Sequence, residues 1–150
     1  MATSKQTLYE PLQYYHIYNR ANGWENIFLE EENYYYFLKK YAEKLDDVVK
    51  TLAYCLMPNH FHLLIQVRSS GEIYDFIEDK KKQLGNIKIP KTVETQEQLN
   101  HFIVQRQLTN FLGGYVKAFN KYHQRKGSLF QQNTCRKLVE NSVYFRTAIR

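Results

Sequence analysis

The spacing of apolar side chains changes period several times along the chain, and each change marks an element. Gln13–Arg20 (QYYHIYNR) alternates and is rich in β-forming residues, which predicts a first strand. Ala21–Asn26 is turn-like, with Asn22-Gly23 as the break. From Glu30 to Leu45 the residues Tyr34, Phe37, Leu38, Tyr41 and Leu45 recur at helical spacing, with glutamates at the start and lysines later that complement the helix dipole. Val48–Pro58 and His60–Val67 read as two strands joined by a tight turn at Pro58-Asn59, and Gly71–Gly85 as a second helix closed by Gly85. Asn86–Gln96, punctuated by Pro90, reads as a loop. A helical period returns from about Gln98 to His123, where Gly113-Gly114 is expected to kink or interrupt it. Gly127–Asn141 reads as a strand with an irregular middle, and Asn141 or Ser142 as the cap of a last helix. Residues 1–12 read as a loose polar lead-in.

That order predicts an α+β fold in which an antiparallel sheet carries its helices on one face. The 150 residues fit one domain with a real core. No apolar run is long enough to span a bilayer, and Cys55 and Cys135 share no metal-type spacing, so a reducing cytoplasm is the expected compartment. Cys55, inside an apolar strand, is expected in the core.

Charge narrows the choice of partner. The net charge is +6, and no acidic residue lies between Glu97 and Glu140, where Arg106, Lys117, Lys121, Arg125, Lys126, Arg136 and Lys137 all fall. A one-signed segment of this kind suits phosphates better than a merely solvated face. Aromatic residues make up 15% of the chain, a supply of flat rings for bases as well as for the core.

The chemistry concentrates in "MPNHFHLLIQV", Met57–Val67. Residues two apart on a strand point to the same side, so His60 and His62 share a face with Leu64 and Gln66. Phe61, Leu63, Ile65 and Val67 share the other, which is apolar throughout and belongs against the helices. Two imidazoles side by side can converge on one cation, although the pair supplies two ligands and the pattern alone is short. Tyr14, His16 and Tyr18 share a face of the first strand, either bordering that site or packing on the sheet.

"MPNHFHLLIQV" resembles the HUH motif (His, hydrophobic, His) of the single-tyrosine transposases, nearest the REP-associated branch. "YYHIYNRANGWENIF" resembles that branch's first strand and turn, and "GSLFQ" with "CRKLVE" its late strand. Ala21 stands where the pattern has glycine, and Gln132-Asn133-Thr134 replaces a more basic, aromatic stretch. The resemblance implies a ferredoxin-like HUH domain, 1–150, commonly a homodimer, that cuts and rejoins single-stranded DNA beside hairpins. It implies that His60 and His62 bind Mg²⁺ or Mn²⁺ and that a tyrosine hydroxyl attacks the phosphate, leaving a 5′-phosphotyrosine.

In the resembling family the tyrosine lies on the last helix, in a pattern like Y-[IV]-x-x-N-P. Aligning "ENSVYFRTAIR" with the lead-in to that helix places it just after Arg150, so the helix is expected to be incomplete here. Tyr144 is the nearest alternative nucleophile, about two turns too early. Two other readings stay open. One is a silent domain that binds hairpin or single-stranded nucleic acid. The other is a hydrolase that uses His60 and His62 with Asp75 or Glu78 as a further ligand.

Overall fold

A computed structural model of the chain describes residues 7–85 and 87–140. Strand β1 (Tyr14–Arg20) keeps its alternation: Tyr15, Ile17 and Asn19 are buried, while His16 and Tyr18 are half-buried and Tyr14 and Arg20 exposed. Helix α1 (Glu31–Leu45) follows, its start fixed by Asn33, whose Oδ1 accepts from the backbone N–H groups of Leu29 and Glu30 at 2.8 and 3.0 Å. Strands β2 (Val49–Met57) and β3 (His60–Val67) form a hairpin across Pro58-Asn59. Ser69 caps helix α2 (Ser70–Leu84), and Thr95 caps helix α3 (Gln96–Tyr122); each has a Glu or Gln three residues on that answers the cap. Gly85 ends α2 at φ +82°, a conformation that side chains other than glycine rarely adopt. Strand β4 (Cys135–Leu138) is short and is preceded by an isolated bridge between Ala21 and Phe130.

The four strands pair in the order β2-β3-β1-β4, antiparallel throughout, the sheet of a ferredoxin-like α+β domain. The three helices among the described residues all contribute to one core against one face of it. That core contains Tyr15, Ile17, Phe61, Leu63, Ile65 and Val67 from the sheet, Phe37 and Tyr41 from α1, Ile73 and Ile77 from α2, and Ile103, Phe111 and Tyr115 from α3. Phe37 is its hub, with ring centroids 5.5 Å from Phe61, 4.8 Å from Phe111 and 5.1 Å from Tyr115. No helix among the described residues is long and apolar enough to cross a membrane.

Three expectations need correcting. Helix α3 runs unbroken through Gly113-Gly114. Phe111, Leu112, Tyr115 and Phe119, on either side of the pair, are all buried, and their packing outweighs a helix penalty of about 1 kcal/mol per glycine. The lead-in is docked from Thr7 onward. Tyr9 is buried, lies edge-on to Tyr15 at 5.1 Å and stacks on His101 at 5.5 Å, with the Arg136 guanidinium 4.8 Å from its ring. That burial pushes its phenol up to about 12. Cys55 is exposed, because β2 is an edge strand and Cys55 points away from the helices.

Gly113 and Gly114 both face open space, with nothing within 4 Å of an added Cβ. Replacing Gly114 by Ala is therefore expected to stabilise the fold by about 1 kcal/mol, which thermal unfolding would show as a rise of about 2–4 °C. Truncating the hub, Phe37→Ala, is expected to cost about 3–5 kcal/mol in denaturant unfolding.

Candidate functional site

The pleat that buries Phe61, Leu63 and Ile65 turns the alternate residues of every strand to the opposite side of the sheet. Register then lines them up in rows across that open face. Cys55 stands opposite His62, His62 opposite Tyr18, and Tyr18 opposite Cys135. Towards the turn, Met57, His60 and Arg20 form the next row; towards the other end, Ala53, Leu64, His16 and Lys137 do. A cleft of about 400 Å³ opens over the first two rows, lined by Tyr18, Asn19, Arg20, Asn59, His60, His62, Gln131 and Cys135.

The two strand histidines stand perpendicular, ring centroids 5.2 Å apart. Each has its Nδ1 engaged, His60 with Asn59 Oδ1 at 2.7 Å and His62 with His16 Nε2 at 2.8 Å. His62 also stacks on the rings of His16 and Tyr18, at 5.0 and 5.7 Å. Burial lowers the His62 pKa, and the neighbouring His60 lowers it further. His16 is lowered to about 4, first by burial and then by the charges of His62 and Lys137. His16 and His62 are therefore neutral at neutral pH, and a neutral imidazole is the form that binds a metal.

This donor set fits a divalent ion as a partial site. With each Nδ1 in use, Nε2 is the remaining donor on each ring. Among the described residues no group of three or more His, Cys, Asp or Glu gathers to hold a metal, so His60 and His62 can supply two ligands and leave coordination open to water or phosphate oxygens. Asp75 lines a different cleft, with Asp46, Asp47, Glu72 and Asp79, and Glu78 pairs with Lys81 at 3.4 Å. Neither carboxylate that a hydrolase would need lies with the histidines.

The basic residues are dispersed. Lys137 is on the open face, 5.8 Å over the Tyr18 ring. Arg136, one residue away, stands opposite Ile17 on the helix side, where it bonds the Thr7 carbonyl and Gln105 Oε1. Arg125 clamps two turns together, pairing with Glu25 and bonding Asn120 Oδ1 and the Gly127 and Ser128 carbonyls. Lys117 and Lys121 are exposed on α3, and Lys126 in the turn after it. Arg106 lines a separate cleft with Lys44, Lys80 and Lys88. Tyr144 lies outside the described residues.

Sequence reasoning passed over Arg20. The signal was there, since Arg20 has the same parity along β1 as His16 and Tyr18. Asn19, of opposite parity, is buried and binds the Gln131 carbonyl and Thr134 Oγ1 at 3.1 and 3.0 Å, which holds the cleft's far wall to the sheet.

The histidine shifts predict a pH dependence for the metal-free protein. Below the ordinary histidine pKa of 6.5 the unfolded chain takes up protons that folded His16 resists until about pH 4, so the unfolded state binds more. Stability is expected to fall as pH drops through that window, and His16→Gln to flatten the loss, as followed by urea unfolding at stepped pH.

Comparison with known proteins agrees with this architecture. Residues 11–103, spanning β1 through the start of α3, match the family described as IS200-like transposase. No curated protein matches the sequence. Among solved structures, the REP-associated tyrosine transposase bound to a REP hairpin is similar, with a TM-score of 0.53 at 9% identity, covering 99% of this chain and 68% of that one. At that identity the likeness speaks for the fold, and the family match covers more than half of the sequence: the chain belongs to the IS200-like transposase family.

Proposed function

We propose that this chain binds hairpin and single-stranded DNA across the open face of its sheet and takes part in metal-dependent cutting and rejoining of one strand. The observation that carries this reading is the pairing of His60 and His62, each with Nδ1 occupied and Nε2 left over, in a cleft that also contains Arg20. The similar transposase was solved with a hairpin bound, which supports the same class of partner here.

In this reading His60 and His62 would hold a divalent ion, Mg²⁺ or Mn²⁺, which would supply charge to polarise the scissile phosphate. Arg20 and Lys137 neutralise phosphates on either side of the histidine rows, and Tyr18 offers a flat wall against which a base can stack. A tyrosine oxygen forms a bond to phosphorus as the P–O3′ bond breaks. Its proton is released, and the 3′ oxygen leaves as a hydroxyl. The ester conserves the bond energy, so the reverse attack rejoins the strand. None of the described tyrosines is assigned this role, which the resembling family gives to a tyrosine on its last helix.

A homodimer is part of the proposal. Among the described residues edge strand β2 has a paired neighbour on one side only, and it exposes Leu52, Tyr54 and Met57, a surface suited to a second copy. The cytoplasm, where such DNA is found, is the proposed compartment.

Gel shifts on a hairpin with a single-stranded flank, together with Mn²⁺ titration, test the reading. The double variant His60→Ala, His62→Ala is expected to lose Mn²⁺ binding and keep hairpin binding. Arg20→Ala and Lys137→Ala are each expected to weaken hairpin binding and to reduce its log–log salt slope by about 1. Mn²⁺ binding unchanged in the double histidine variant would remove the metal assignment. Hairpin binding that ignores both cation variants would move the DNA off this face.

A further inference from the structure

The metal reading needs the same nitrogen free on both histidines, and the two rings reach that condition by different means. The partner of His60 Nδ1 is the side-chain amide oxygen of Asn59, Oδ1, which can only accept, so His60 donates and its Nε2 keeps a lone pair. The partner of His62 Nδ1 is another imidazole nitrogen, His16 Nε2, at 2.8 Å. Between two neutral rings such a contact holds one proton, and the proton has two possible owners. If it sits on His16, His62 must carry its own proton on Nε2, and that atom is closed to a cation. If it sits on His62 Nδ1, Nε2 is open.

We propose that His16 is a positioning residue: its Nε2 accepts the Nδ1 proton of His62 and so keeps the Nε2 lone pair of His62 available at the cleft. The inference rests on the metal reading above for its purpose, but it is a statement about a tautomer that can be checked without metal.

Placement favours such a role over simple packing. His16 stands opposite Leu64, one pleat along from His62, so the two rings meet on the diagonal between neighbouring strands. They lie nearly parallel, 28° apart with centroids at 5.0 Å, and His16 also leans on Tyr18 at 4.8 Å. Stacking alone would be met by any flat ring at position 16. The 2.8 Å nitrogen–nitrogen contact would not, because it requires at that point a polar atom that can share a proton with His62 Nδ1. Partners that orient a ligand histidine in this way commonly set metal affinity by about 10–100-fold.

Two variants separate the roles. His16→Phe keeps a ring and removes the acceptor; His16→Gln removes the ring and restores an oxygen that can accept. In the metal-free wild type, ¹⁵N–¹H correlation spectra of the imidazoles are expected to show His62 protonated on Nδ1. His16→Phe is expected to move that proton to Nε2 and to weaken Mn²⁺ binding about 10–100-fold, with hairpin gel shifts in chelator unchanged. His16→Gln is expected to recover most of both. A wild-type His62 protonated on Nε2 overturns the inference, as does His16→Phe binding Mn²⁺ as tightly as wild type. If the tautomers behave as stated and wild type binds no Mn²⁺, the metal reading falls while the role of His16 stands. Should His16→Phe fail to fold, the wild-type spectrum and His16→Gln still decide the matter.

Discussion

Everything on the open face depends on the register between β1 and β3. Phe61, Leu63, Ile65 and Val67 are buried against the helices together with Tyr15 and Ile17, and side chains alternate strictly along a strand. A slip of one residue would drive His60 and His62 into the core and expose the phenylalanine ring and the aliphatic side chains in their place. The hydrophobic packing around Phe37 thus opposes any slip with the combined burial of both strands. The histidine pair inherits its geometry from side chains it never touches.

A second set of contacts holds the cleft around the pair. Buried Asn19 turns its amide toward Gln131 and Thr134, while its Oδ1 accepts from the Arg20 backbone at 2.7 Å. Arg125 links the turn after α3 to the turn after β1 through Glu25. Asn22 reaches Ser128 Oγ at 3.1 Å in the same region. These polar ties act beside the burial of Ile27, Phe28, Leu129 and Phe130 in the same loops, so the cleft wall rests on hydrogen bonds and packing together.

Much of this was legible in the sequence. Period-2 alternation in His60–Val67 gave both the face of the histidines and the face of the core, and strand burial follows it. The helical spacing of Phe37, Tyr41 and Leu45 likewise became the buried stripe of α1. What escaped were features set by distant contacts. Gly113-Gly114 looked like a break because local propensity is visible in sequence and the packing of Phe111 and Tyr115 is not. The docking of Tyr9 needs His101 and Arg136, which lie about a hundred residues away. Cys55 reads as core by composition, but only strand order reveals that β2 is an edge. The basic tract read as one field, yet successive residues of a strand face opposite ways, so Arg136 and Lys137 end on different sides of the sheet. Arg20 carried its parity in the sequence, but its place opposite His60 and the contact of His16 with His62 needed the β1–β3 pairing, which no local pattern specifies.

The division of labour between the two faces also bears on how such a chain diverges. The helix side asks only for apolar volume at alternate positions, a demand that many sequences meet. The open side asks for particular atoms at few positions, and changes there disturb little of the core. A fold can then persist while identity with a similar structure drops to 9%. The two sides of one strand therefore answer to different demands: shape on the packed side, and a particular atom at a particular place on the other.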